Sequence, residues 1–562
     1  MIVYSDRRRS LDPRPILADL RRGLEAPGPD VASLLIEAGV LEAGVVDALS
    51  PEEDDEPPLA RRLRSAMLDL AHAARGGGEE RLASAARRFR EVGQGPLPQG
   101  VETSEPEGFA FYALYPEMYA EAARRFVRAA RPRRATVVGL RSIGTTLSAV
   151  VAAELEAQGV PVRTFTVRPR GHPFERELRL GPRLAAALED GEAGHVLIVD
   201  EGPGISGSSF ACVAEAASRA GVPDHRIALF PSWDSDGASL RSERARPAWA
   251  RHARWVAGFD ETFLETDRLA AAWGGGSLRD LSGGLWRELL CPPGRLPAVQ
   301  PQHERRKYML EREGAPPLLL KFAGLGARGE RALARAEEQA GAGLAPEVEG
   351  LAEGFLAFRY IEGRPAEALD ADLLGAIERH LAHLAAGPER GAPRVEDILG
   401  MTRLNIAEGL GEAAAGRTGW MDGLRERVLA RPARAGDGRM LPQEWLRTRA
   451  GLLKCDGIDH HDDHFWPGMQ DIAWDLAGAM VEFDMGPGAR GRLVDGFQVR
   501  TGDRDARGVL PFYEVAYLAW RLGYTTLAAE TLGGGEEAGR MATLRDRYAA
   551  RLGQALDREG AA

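Results

Sequence analysis

VLIVDEGPGISGSSF, residues 196–210, runs four apolar residues into an acidic pair, Asp200 and Glu201, and then into a Gly/Ser-rich turn. A short apolar run bounded by turn residues reads as a buried strand. The turn Gly204-Ile205-Ser206-Gly207-Ser208-Ser209 then opens a helix, bringing backbone N–H groups and three hydroxyls together as a nest for a phosphate. At the carboxyl end of the strand, Asp200 and Glu201 are placed to accept hydrogen bonds from vicinal hydroxyls of a ribose. Open parallel sheets bind their ligands at that end. The plainer alternative for the same residues is a Ser/Gly cap on a helix that follows an ordinary strand.

Working outward, strands and helices alternate. ATVVGL (135–140), VPVRTFTV (160–167), HVLIVD (195–200) and RIALFPS (226–232) read as strands, and TLSAVVAAELEAQG (146–159) and FACVAEAASRAG (210–221) as helices. This alternation predicts a parallel sheet with right-handed crossovers. Upstream, LIEAGVLEAGVVDAL and LARRLRSAMLDLAHAA have helical apolar spacing and flank the acidic PEEDDEPP at 51–58.

The strand, acidic pair and loop of 196–210 resemble the PRPP motif of type I phosphoribosyltransferases. GLRSIGTT (139–146) resembles that family's pyrophosphate loop, and the resemblance covers about 105–260. It implies that Arg141, Ser142 and Ile143 contact diphosphate. It also makes 167–181 a mobile lid with Arg168, Arg170 and His172 toward an anion, and Gly204, Ile205, Ser206, Gly207, Ser208 and Ser209 the PRPP loop. The implied chemistry is displacement of Mg-diphosphate from the ribose anomeric carbon, with Asp200, Glu201, Arg168 and Arg170 as the catalytic set. Gly202-Pro203 makes the spacing from acids to loop one residue longer than the family pattern.

The second half reads differently. Of 72 Lys and Arg residues only Lys307, Lys321 and Lys454 are lysines, so each lysine needs a reason. None follows a glycine as a Walker A loop demands. PLLLKF (317–322) sets Lys321 in an apolar strand, where an unpaired ammonium is costly. The helix after it offers Glu330, Glu337 and Glu338. A strand lysine paired with a helix glutamate over nucleotide phosphates is the working arrangement of kinases. FRYIEGRP (358–365) and QDIAWDLAG (470–478) resemble segments of aminoglycoside phosphotransferase/choline kinase-like proteins. That resemblance implies ATP at Lys321 and Glu337, and a metal-binding Asp456 in LLKCDG (452–457).

There are departures from this second family. No HxD precedes the region, and the single asparagine, Asn405, leaves no metal-binding Asn downstream; Asp437 and Glu444 substitute by position. In DGIDHHDDHF (456–465), His460 and His464 fall at i, i+4 with Asp456, Asp459 and Asp463 within reach, a pattern able to ligate a divalent metal or to be a solvated loop. GLGARG (324–329) matches a dinucleotide fingerprint, but with 67 glycines about one such match is expected by chance.

The chain therefore reads as an α/β protein in four parts. They are a helical N-terminal segment (1–100), a parallel-sheet phosphoribosyltransferase-like domain (101–265), a linker (266–300) and a bilobal α+β kinase-like domain (301–562). The expected activity is PRPP- and Mg²⁺-dependent transfer to an unidentified acceptor, with ATP at the second domain. The alternatives are a non-catalytic nucleotide or PRPP sensor, or an atypical small-molecule kinase with a regulatory phosphoribosyltransferase-like domain. Expected partners are small molecules. A formal charge of −11 opposes nucleic-acid binding, and no apolar run is long enough to span a membrane. The start lacks a signal-peptide core, which makes cytoplasmic localisation the expectation, and three scattered cysteines suggest no disulfide framework. The oligomeric state is open, a homodimer being one option.

Overall fold

A computed structural model describes residues 1–4, 8–76, 78–189, 194–292, 294–366, 368–465 and 467–560. The chain divides into two compact units. One is Arg7–Gly275 with Gly324–Arg328; the other is Gly276–Ala323 and Gly329–Ala562 with the described part of Met1–Asp6.

The first unit opens with β1 (Arg9–Leu11), the helices α1 (Pro13–Leu24), α2 (Val31–Leu49), α3 (Pro58–Ala74) and α4 (Gly78–Gln94), and β2 (Val101–Thr103), which pairs antiparallel with β1. After α5 (Glu107–Phe111) and α6 (Pro116–Ala130) come β3 (Ala135–Leu140), α7 (Ile143–Ala157), β4 (Val162–Val167), α8 (Pro182–Glu189), β5 (His195–Val199), α9 (Ser208–Arg219), β6 (Ile227–Phe230) and β7 (Ala253–Arg254). Strands β3 to β7 form one parallel sheet in the order β4-β3-β5-β6-β7. Every residue of β3 is buried, as a strand covered on both faces requires. The order reverses between β3 and β5, so their carboxyl ends border the crevice where such sheets take ligands. The helices of 1–100 belong to this unit. Arg64 of α3 makes a buried bidentate pair with Glu42 of α2 and donates to the Thr145 carbonyl in α7.

The second unit holds two antiparallel sheets. One comprises β8 (Ser277–Asp280), β9 (Lys307–Glu311), β10 (Leu318–Phe322), β11 (Val348–Ala352) and β12 (Phe355–Arg359), in the order β11-β12-β10-β9-β8. The other is β13 (Gly363–Pro365), β14 (Trp445–Thr448) and β15 (Gly451–Lys454). Helices including Ala371–Ala386, Val395–Leu410, Ala473–Glu482 and Leu510–Leu532 enclose a separate core around Trp474, Tyr513, Tyr517 and Trp520. Asn405 is structural there, its amide donating to the carbonyls of Ile2 and Ala519. Among the described residues no helix is long and apolar enough to cross a membrane.

Two expectations change. Residues 266–300 are not a linker, because β8 within them is the edge strand of the five-stranded sheet. GLGARG is not a dinucleotide fingerprint, because β10 before it runs antiparallel to both neighbours, whereas that motif needs a parallel βαβ unit.

Arg64→Ala leaves Glu42 buried without its partner and is expected to lower stability by about 3–5 kcal/mol in urea unfolding. A loss under about 1 kcal/mol would show that the pair does not hold α2 and α3 against α7.

Candidate active site

Strand periodicity places the first side chains. Leu319 and Lys321 share one face of β10, with Met309 and Lys307 of β9 directly opposite. All four line a cavity of about 150 Å³, whose wall also includes Phe358, Tyr360, Ile361 and Leu446. Two lysines facing each other across strands repel, so the arrangement needs carboxylates between them. Lys321 Nζ donates to Asp456 Oδ1 at 2.6 Å and to Asp459 Oδ1 at 2.9 Å. Lys307 Nζ lies 3.9 Å from Asp456 Oδ2 and donates to Glu304 at 2.9 Å. Lys454, at the end of β15, donates to the Asp456 carbonyl and, at 2.6 Å, to Glu444, and lies 3.1 Å from Asp437. All three lysines of the chain thus meet Asp456. Burial opposes these charges, and the pairing outweighs it. Lys321, His460 and Lys307 hold the Asp456 carboxyl well below the usual range, and Asp456 and Asp459 hold Lys321 above its ordinary value.

The loop before β14 is pinned from behind. Asp475 of helix Ala473–Glu482 accepts the N–H groups of Asp437 at 2.9 Å and Gly438 at 2.7 Å. Burial, and then the charge of Asp437, push the Asp475 carboxyl up to about 7. Asp437 itself is fully buried against Lys454 and His380, whose Nε2 is 3.0 Å away, and it does not reach the cavity wall. Glu444 does line the cavity.

The expected metal residues divide into two groups. Asp456, Asp459 and His460 bring ligand atoms within 4.8 Å of one another, with His460 Nε2 3.6 Å from Asp456 Oδ1. Asp463 instead pairs with Arg305 at 3.2 Å, and the His464 ring lies 2.9 Å from Asp463 and stacks on Tyr4. Glu337 is exposed on helix Ala327–Gly341, and the loop carboxylates Asp456 and Asp459 take the position expected for it beside Lys321. Sequence reading assigned Lys307 no role and passed over Glu304; the rarity of lysine was the available signal for the first.

In the α/β unit, Asp200 stands at the end of β5 against the start of α7. A Cβ on Gly144 would lie 2.6 Å from the Val199 carbonyl and 3.0 Å from Asp200 Oδ1, so only glycine permits that approach. Glu201 Oε2 accepts the Gly108 N–H at 3.0 Å. Burial pushes Asp200 up to about 7 and, with Glu107 and Asp200 nearby, Glu201 up to about 8. Ser142 precedes the buried Ile143 with φ +139°, a strained conformation for a residue with a side chain. Gly204 and Gly207 take positive φ, Ile205 is 67% exposed, and α9 begins with no side-chain cap. Ser206 and Ser208 hydroxyls lie 3.1 Å apart, Ser208 donates to the Pro173 carbonyl, and Ser209 opens the helix beside them.

The expected diphosphate arginines are already committed. Arg141 pairs with Asp47 at 2.7 Å and with fully buried Asp54, Arg168 with Asp47, and Arg170 with Asp54 at 3.1 Å. Asp54 also takes the Arg168 N–H, and its own backbone bonds to Arg179 and Gly181 pin the lid segment. The segment expected to move is tied down by the acidic stretch, and His172 alone of its anion candidates is exposed.

No family model matches the sequence, and no curated protein matches it. Among solved structures, choline kinase LicA from Streptococcus pneumoniae is 16% identical with a TM-score of 0.29, the match covering 45% of this chain and 89% of that one. A choline/ethanolamine kinase family protein from Mesorhizobium loti is 17% identical with a TM-score of 0.33, covering 51% and 99%. Macrolide 2'-phosphotransferase MphH from Brachybacterium faecium is 17% identical with a TM-score of 0.32, covering 49% and 96%. At these scores the likeness extends over about half of the chain and assigns no residue a role.

The raised Asp200 and Glu201 values set a pH dependence. The folded state keeps protons that the unfolded chain releases near pH 4, so stability is expected to fall as pH rises from about 4 to about 8. Urea midpoints across that window should fall more steeply in the wild type than in Asp200→Asn/Glu201→Gln. Parallel profiles would contradict the two elevated carboxyls.

Proposed function

We propose that the unit beginning at Gly276 is a nucleotide-dependent phosphotransferase acting on a small molecule, with ATP as donor. The α/β unit is a sensor for a phosphorylated ribose, PRPP or a nucleotide. The observation supporting this reading is the convergence of three lysines on Asp456 at the wall of an otherwise largely apolar cavity. A planar base suits the surfaces of Leu319, Phe358 and Leu446, and the phosphates suit the cationic end. Phosphoryl transfer depends mainly on such positioning and electrostatic stabilisation. Asp456 and Asp459 fit Mg²⁺, which takes one or two carboxylates together with substrate phosphates. When bound, that ion neutralises phosphate charge. Glu444 has a carboxyl raised by burial and faces the cavity, which suits it to exchange a proton with an acceptor hydroxyl.

PRPP-dependent transfer is the second reading. The uncapped start of α9 beside Asp200 favours it, while the commitment of Arg141, Arg168 and Arg170 to Asp47 and Asp54 weighs against a diphosphate held by those arginines.

Calorimetric titration with ATP and Mg²⁺ tests the main reading: Lys321→Ala should weaken binding by about tenfold or more. Unchanged affinity would remove the lysine site. Incubation with PRPP and Mg²⁺ should release no diphosphate. Release that is lost in Asp200→Asn would replace the sensor with a transferase.

A further inference from the structure

The charged residues of the cavity wall are almost all neutralised in place. Glu304 is paired with Lys307, Asp456 with Lys321, and Glu444 with Lys454. Arg359 reaches Glu347, and Arg521 reaches Glu482 at 3.2 Å. Arg439 is the exception. Its backbone N–H is held by Asp437 Oδ1 at 3.3 Å, but its guanidinium has no hydrogen-bond or ion-pair partner among the described residues. The residue is half-buried and rises from a fixed base, because Asp475 holds the two preceding N–H groups and Gly438 turns at φ +85°. Burial opposes its charge, and the through-space charges of Glu444, Tyr524, Asp463 and Asp456 outweigh that without bonding to it, so the guanidinium is a stable cation whose donors stay open to a ligand. A guanidinium presents a planar fork of donors that matches a phosphate or carboxylate in two bonds.

We propose that Arg439 binds an oxyanion of the cavity's ligand, while Lys321 remains committed to Asp456 and Asp459. The ligand class is then a molecule with an anionic group on an apolar or aromatic body. The apolar wall for that body includes Trp286, Leu289, Leu290, Met541 and Leu544. This deepens the nucleotide reading, in which the oxyanion is a phosphate of the nucleotide; an independent anion is the other source of the same chemistry.

Metal-free calorimetric titrations of the full chain with ATP, adenosine and sodium pyrophosphate separate these cases. The wild type should bind ATP about tenfold or more tighter than adenosine. Arg439→Gln should lose that preference with adenosine affinity retained, and Arg439→Lys should recover part of it. An ATP-to-adenosine ratio unchanged in Arg439→Gln overturns the assignment, as does a wild type that binds none of the three probes. If the wild type binds pyrophosphate through Arg439 but neither adenosine nor ATP, the anion site stands and the nucleotide reading falls.

Discussion

The ammonium of Lys321 between the carboxylates of Asp456 and Asp459 is the contact on which the second unit's site depends. It joins the face of β10 to the loop after β15, and the same Asp456 compensates Lys307 across the strand pair and accepts from Lys454 through its carbonyl. In a low-dielectric interior each of these charges is tolerable only because the others are present, so removing one leaves its partners uncompensated. The site is therefore a coupled charge network rather than a set of independent residues.

That network explains why lysine survives at three positions in a chain that otherwise uses arginine. An ammonium is a compact point charge that fits between two carboxylate oxygens, whereas a guanidinium fork demands a planar partner. Arginine is retained where planar geometry is useful. Examples are the bidentate Arg64–Glu42 pair that holds α2 and α3 against α7, and Arg439, which lines the cavity.

Local pattern made much of the fold legible. ATVVGL, HVLIVD and PLLLKF are β3, β5 and β10, and the loop after β5 opens a helix at the sheet's switch point. What local pattern does not contain is the identity of distant partners. PEEDDEPP reads as an acidic break between two helices, yet Asp54 within it is fully buried against Arg141, 87 positions away, and with Asp47 it occupies the arginines that a diphosphate would need. A helix glutamate was the expected partner of Lys321, and two loop aspartates more than 130 positions downstream take its place. The stretch 266–300 reads as a linker because the edge strand β8 within it has only four residues, too few to show a periodicity. His464 sits four positions after His460, the spacing of a ligand pattern, yet its ring lies against Asp463 and stacks on Tyr4 from the other end of the chain, contacts that this spacing does not reveal.

The most direct measurement is photolabelling of the full chain with 8-azido-ATP, followed by mass spectrometry of the peptides. If the cavity beside Lys321 is the nucleotide site, adducts fall within residues 307–361 or 441–456 and disappear under excess ATP. Adducts confined to 139–146 or 196–237 would place the nucleotide at the parallel sheet and contradict that assignment.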